Sequence, residues 1–118
     1  MSQAEKKIRM HISLRQLELF VSVARNESFS RAAEEMHLTQ PAVSVPIKNL
    51  EDSVGVPLFE YIGRKFYLTE AGRELFTAAS TVFESLGRFE MLVADMKGLK
   101  QGKLRVAVTT TAKYFIPR

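Results

Sequence analysis

From Leu14 the apolar residues fall at Leu14, Leu17, Phe20, Val21 and Ala24, a helical stripe that Ser13 is placed to cap. Asn26-Glu27-Ser28 interrupts this helix. A second, short helix that buries Ala32, Ala33 and Met36 follows, with Ser28 or Ser30 as its N-cap. After His37-Leu38, Thr39 caps a third helix with Pro41 in its first turn, where a missing N–H costs little. Val43, Ile47 and Leu50 share one face of that helix, and Pro41, Ser44, Val45 and Lys48 share the opposite one. Gly55 and Pro57 end it. Leu58–Tyr61 and Lys65–Leu68 then read as two strands around an Ile62-Gly63-Arg64 turn. Three short helices and a hairpin make a winged helix-turn-helix over residues 13–69, its helix-turn-helix motif at about 29–48.

Thr69 opens a different pattern. Leu75, Ala79, Val82, Leu86, Phe89, Val93 and Met96 recur at alternating spacings of 4 and 3, a heptad seam held for more than three heptads. The predicted helix, residues 70–100, is roughly 40 Å long. So long a stripe exceeds what a domain of this size can cover, so a second copy of the chain is the expected partner. The expected fold class is therefore mainly α, a winged helix-turn-helix followed by a long coiled-coil linker helix. Residues 1–12 read as a loose tail. Leu104–Val108 alternates as a strand does, and residues 101–118 are expected to be the first strand of a truncated second domain.

Composition narrows the function. The 118 residues contain no cysteine, which removes disulfides, thiolate metal sites and a thiol nucleophile together. His11 and His37 lack a metal-ligand rhythm, and no nucleophile–base pair or phosphate loop is visible, so neither an enzyme nor a bound metal or cofactor is expected. No run reaches the ~18 apolar residues of a membrane span, and the N-terminus lacks the apolar stretch of a signal peptide. The net charge is +4, yet residues 28–69 carry four basic and five acidic side chains. Binding to nucleic acid must then rest on individually placed groups.

A helix-turn-helix presents its second helix to the major groove of double-stranded DNA. On that helix Gln40 can pair with adenine, Ser44 can bond a base or a phosphate, and Pro41 and Val45 can touch a thymine methyl. Ser28, Arg31, Thr39 and Lys48 are candidates for the phosphate backbone. Arg64 and Lys65, at the hairpin tip, suit a narrow A·T-rich minor groove. The competing reading is a protein-interaction module that uses the winged helix and the seam without nucleic acid.

Pro46 stands inside the third helix, where its absent N–H would have bonded the Ala42 carbonyl. Either the helix bends there or the residue marks a mutation.

Several stretches resemble one family. Leu14-Arg15-Gln16-Leu17-Glu18-Leu19-Phe20, Ser28-Phe29-Ser30-Arg31-Ala32-Ala33 and Leu38-Thr39-Gln40-Pro41-Ala42-Val43-Ser44 are similar to the N-terminal domain of LysR-type transcriptional regulators. So are Leu50-Glu51, Gly55-Val56-Pro57-Leu58-Phe59-Glu60 and Leu68-Thr69-Glu70-Ala71-Gly72, and the match covers about residues 11–100 in order. The segments 59–65 and 110–118 resemble the branch that controls Calvin-cycle (RuBisCO) operons. The resemblance implies a cytoplasmic bacterial regulator that is a homodimer through its linker helix and a tetramer at full length. It also implies a metabolite-sensing C-terminal domain, of which only the first strand is expected within these 118 residues. By the same resemblance Gln40, Pro41, Ser44 and Val45 read bases, and Arg64 and Lys65 belong to the wing. Two positions depart from the family: Pro46 replaces a polar residue, often Gln, and Tyr61 stands where many relatives carry Arg.

Overall fold

The computed structural model describes residues 10–101. In chain order its elements are α1 (Leu14–Asn26), α2 (Phe29–Met36), α3 (Gln40–Val54), β1 (Phe59–Ile62), β2 (Lys65–Leu68) and α4 (Glu70–Gln101). The chain divides into two compact units, Met1–Thr77 and Ala78–Arg118. The expected strand at Leu104–Val108 and most of the expected N-terminal tail lie outside the described residues. Within the tail, the His11 amide is tied to Ser53 Oγ at 2.7 Å.

Each of the three short helices starts where a side-chain oxygen can satisfy a free amide. Ser13 Oγ accepts from the Gln16 amide at 3.0 Å, and Gln16 Oε1 accepts from the Ser13 amide at 2.9 Å, a reciprocal capping box. Ser28 accepts from the Arg31 amide at 3.1 Å and Thr39 from the Ala42 amide at 3.3 Å. Ser28, rather than Ser30, is therefore the cap of α2. The first two helices end in the left-handed region without glycine, at Glu27 (φ 52°) and His37 (φ 60°). His37 donates its amide to the Glu34 carbonyl and Leu38 donates to Ala33, which closes α2 in a Schellman motif.

α1 packs against both α2 and α3, and α2 against α3. The buried set of α1 is Leu17 and Leu19–Val23, wider than the expected stripe, because this central helix is covered from more than one side. Leu14 is exposed and Leu19 is buried, the reverse of what a single stripe implies. Val43, Ile47 and Leu50 are buried as their spacing predicts, and Ala32 and Ala33 with them. Met36 is only half-buried.

The hairpin pairs Phe59 with Leu68 and Ile62 with Lys65. Its first strand runs one residue later than expected, so the turn is the two-residue Gly63-Arg64. Gly63 has φ 65° and Arg64 is not left-handed, the pattern of a II′-type turn matched to the strand twist. Phe59 anchors the hairpin to the helices, its ring 5.2 Å from Phe20, 5.6 Å from Phe29 and 5.0 Å from Phe66.

α3 also holds the base of the hairpin. Glu51 Oε2 accepts from the Leu58 amide at 2.7 Å and the Phe59 amide at 3.4 Å. The junction to α4 is equally tight. Thr69 donates its hydroxyl to the Pro57 carbonyl at 2.8 Å and accepts from the Gly72 amide at 3.0 Å, capping α4. Gly72 sits directly on the Leu58 carbonyl, where a Cβ has no room.

The long helix predicted for residues 70–100 is α4, 32 residues. Along its seam Leu75, Val82 and Val93 are half-buried and Ala79 is buried. Leu86, Phe89 and Met96 are exposed, and so is Leu92 beside them.

Candidate nucleic-acid interface

The chemistry proposed from the sequence concentrates at the start of α3. Gln40 is its first residue and Pro41 its second, where fixed φ and a missing donor are tolerated. Gln40, Pro41, Val45 and Lys48 are exposed, and Ser44 is half-buried. Val45 is 56% exposed, an apolar side chain on a face that carries no core residue. The opposite face buries Val43 and Ile47, both 2% exposed or less, where α3 packs on α1 and α2. The exposed face is therefore set on a rigid base, as base reading requires.

Pro46 does not end the helix. α3 runs continuously from Gln40 to Val54 with Pro46 inside it. Ala42, whose carbonyl lacks a donor from position 46, is exposed, and the Pro46 carbonyl accepts from Gln16 Nε2 of α1 at 3.3 Å. That contact joins the middle of α3 to the capping box of α1.

The cations fall into two groups. Arg31, Arg64 and Lys65 are exposed and, among the described residues, none of them is in an ion pair. Lys48 lies 3.6 Å from Asp52, one turn on, with both side chains more than 60% exposed. Pairs of this kind contribute about 0.5 kcal/mol or less, so Asp52 competes only weakly with a phosphate. Ser28 and Thr39 spend their side-chain oxygens on capping. At the N-termini of α2 and α3 they stand beside amides and dipole ends suited to an anion.

Sequence reasoning passed over one contact in this region. Ser30 Oγ donates to Gln40 Oε1 at 3.1 Å, a side-chain bond from α2 to α3. It also passed over Glu51, which ties α3 to the wing. In the sequence Ser30 reads as a candidate helix cap and Glu51 carries no cue of its own, and neither contact shows until the helices are packed. Among the described residues no group of three or more His, Asp or Glu could hold a metal ion. None of the described helices is long and apolar enough to cross a membrane.

Residues 14–73 match the family model for the bacterial regulatory helix-turn-helix proteins of the lysR family. The chain belongs to this family, and its winged helix-turn-helix is the family's DNA-binding domain. Within the family it is similar to a RuBisCO operon transcriptional regulator of Allochromatium vinosum, 50% identical over 92% of this chain and 36% of the relative. It is also 50% identical to the HTH-type transcriptional activator CmpR of Synechocystis, over 90% of this chain and 35% of the relative. The chain thus spans about a third of the length of these relatives.

Among solved structures, the BenM DBD/catB site 1 DNA complex superposes with a TM-score of 0.68 at 28% identity, covering 73% of this chain and 97% of that one. A LysR-family regulator from Eggerthella lenta gives 0.57 at 46% identity, over 58% and 99%. The CbnR DBD–DNA complex gives 0.62 at 33% identity, over 67% and 91%. The relatives are transcriptional regulators, and two of these three matched structures hold DNA, which weighs against a module that serves protein contacts alone.

Proposed function

We propose that the chain is the operator-reading part of a transcriptional regulator that binds a dyad-symmetric promoter site on double-stranded DNA as a homodimer. α3 enters the major groove with Gln40, Pro41, Ser44 and Val45 toward base edges. Ser28, Arg31, Thr39 and Lys48 meet phosphates on either side, and Arg64 and Lys65 carry the wing to the adjacent minor groove. The observation that carries this reading is the two-faced α3: buried Val43, Ile47 and Leu50 behind, exposed Gln40, Pro41 and Val45 in front. α4 supplies the dimer contact along Leu75, Ala79, Val82, Leu86, Phe89, Val93 and Met96, of which Leu86, Phe89 and Met96 stand exposed in the single chain.

The similarity to RuBisCO operon regulators supports genes of carbon fixation as the target, in the cytoplasm of a bacterium. We take residues 13–69 as the reading domain, 70–100 as the pairing helix and 101–118 as the start of an effector domain. The full-length protein is then a metabolite-responsive tetramer. No catalytic role is part of this reading.

Selection of bound duplexes from a random pool at near-physiological salt tests it directly. An inverted repeat, with A·T-rich sequence where the wings reach, is the expected product. Recovery without any motif would leave only phosphate attraction and refute base reading by α3.

A further inference from the structure

Ser28 caps α2, which leaves Ser30 without a local task. Ser30 lies at the second position of α2 and is exposed. Serine is a poorer helix residue than alanine, and its hydroxyl makes no bond within its own helix. The hydroxyl instead crosses to the next helix and donates to Gln40 Oε1 at 3.1 Å.

The Gln40 side chain has three rotatable torsions and no other hydrogen-bond partner among the described residues. Unrestrained, its amide must lose that freedom when it meets a base, which weakens the contact. The Ser30 bond removes much of the freedom beforehand. It also spends only one lone pair. Gln40 keeps a second lone pair on Oε1 and both N–H groups on Nε2, the acceptor and donor that adenine N6 and N7 require.

We propose that Ser30 is a positioning residue for specificity: it pre-orients the Gln40 amide, so that base discrimination belongs to the Ser30–Gln40 pair. The inference rests on the base-reading role of Gln40 proposed above.

The test measures affinity of the 118-residue chain for the selected duplex, for every single-base-pair variant of one half-site, and for an unrelated duplex. The chains compared are the parent, Ser30→Ala, Ser30→Thr, Gln40→Ala and the double variant Ser30→Ala/Gln40→Ala. Ser30→Ala is expected to narrow discrimination at the base pair Gln40 reads by about three- to tenfold, the cost of ordering one long side chain on binding. Affinity for the unrelated duplex and its salt slope stay unchanged. Ser30→Thr keeps the hydroxyl and restores discrimination, and Ser30→Ala adds nothing once Gln40 is alanine. Alanine at this exposed helical position preserves the fold. Equal weakening on every duplex, with a changed salt slope, would make Ser30 a phosphate contact and overturn the proposal. Unaltered discrimination in Ser30→Ala, while Gln40→Ala flattens it, overturns the proposal and leaves Gln40 as the reader. A flat response to Gln40→Ala removes the base-reading role itself.

Discussion

Pro46→Ala should stabilise the domain, and its size follows from where the proline sits. α3 is continuous through position 46, so the backbone already has helical geometry and only the missing N–H and the ring oppose it. Relative to alanine, a proline in a helix interior costs about 3 kcal/mol. The ring returns part of this by packing. Pro46 is half-buried, so losing two ring methylenes, each worth about 0.8 kcal/mol when fully buried, removes about 0.8 kcal/mol. The net gain is about 2 kcal/mol. For a domain of this size that raises Tm by roughly 10 °C. The Gln16 bond goes to the Pro46 carbonyl, which alanine retains. Thermal unfolding followed by circular dichroism, at one fixed protein concentration, provides the measurement. An unchanged or lowered Tm would refute the reasoning, since α3 would then be built around the proline.

Other perturbations probe separate parts of the molecule. Gly72→Ala drives a methyl into the Leu58 carbonyl and should cost about 1–3 kcal/mol in urea unfolding. Lys48→Ala should weaken binding to every duplex alike and lower the salt slope by about one, read by titrating affinity against salt. Asp52→Asn, which frees Lys48, should shift affinity slightly the other way. Leu86→Asp places a charge in the proposed seam and should give monomers in sedimentation equilibrium; a dimer that survives would locate the contact elsewhere.

Much of the fold was legible because it is written locally. Ser13, Ser28 and Thr39 cap helices through bonds that span three residues, and the buried face of α3 follows from its 3.6-residue period. The hairpin was legible apart from one residue at β1, since Gly63 permits a two-residue turn where three residues had been expected. Glu27 and His37 adopt left-handed caps that glycine would have announced. The broad burial of α1 was hidden because it depends on how many neighbours a helix has. Ser30 and Glu51 were hidden for a related reason. Their partners lie ten and seven residues away and meet them only after helix packing and chain reversal. Pro46 argued locally for a bend. The helix nonetheless runs on through it from Gln40 to Val54.

The Glu51 carboxylate ties the root of the hairpin to α3, the Phe59 ring holds it against α1 and α2, and the Thr69 hydroxyl closes it on the Pro57 carbonyl. In the proposed complex the domain therefore behaves as a caliper with a fixed opening. The span from Gln40 to Arg64 is set before DNA arrives, and a duplex whose groove spacing differs must itself deform to be held. Sites would then be sorted partly by the stiffness of base steps that no side chain touches. A substitution that loosens Glu51 would broaden the range of accepted sequences without altering a single contact to a base.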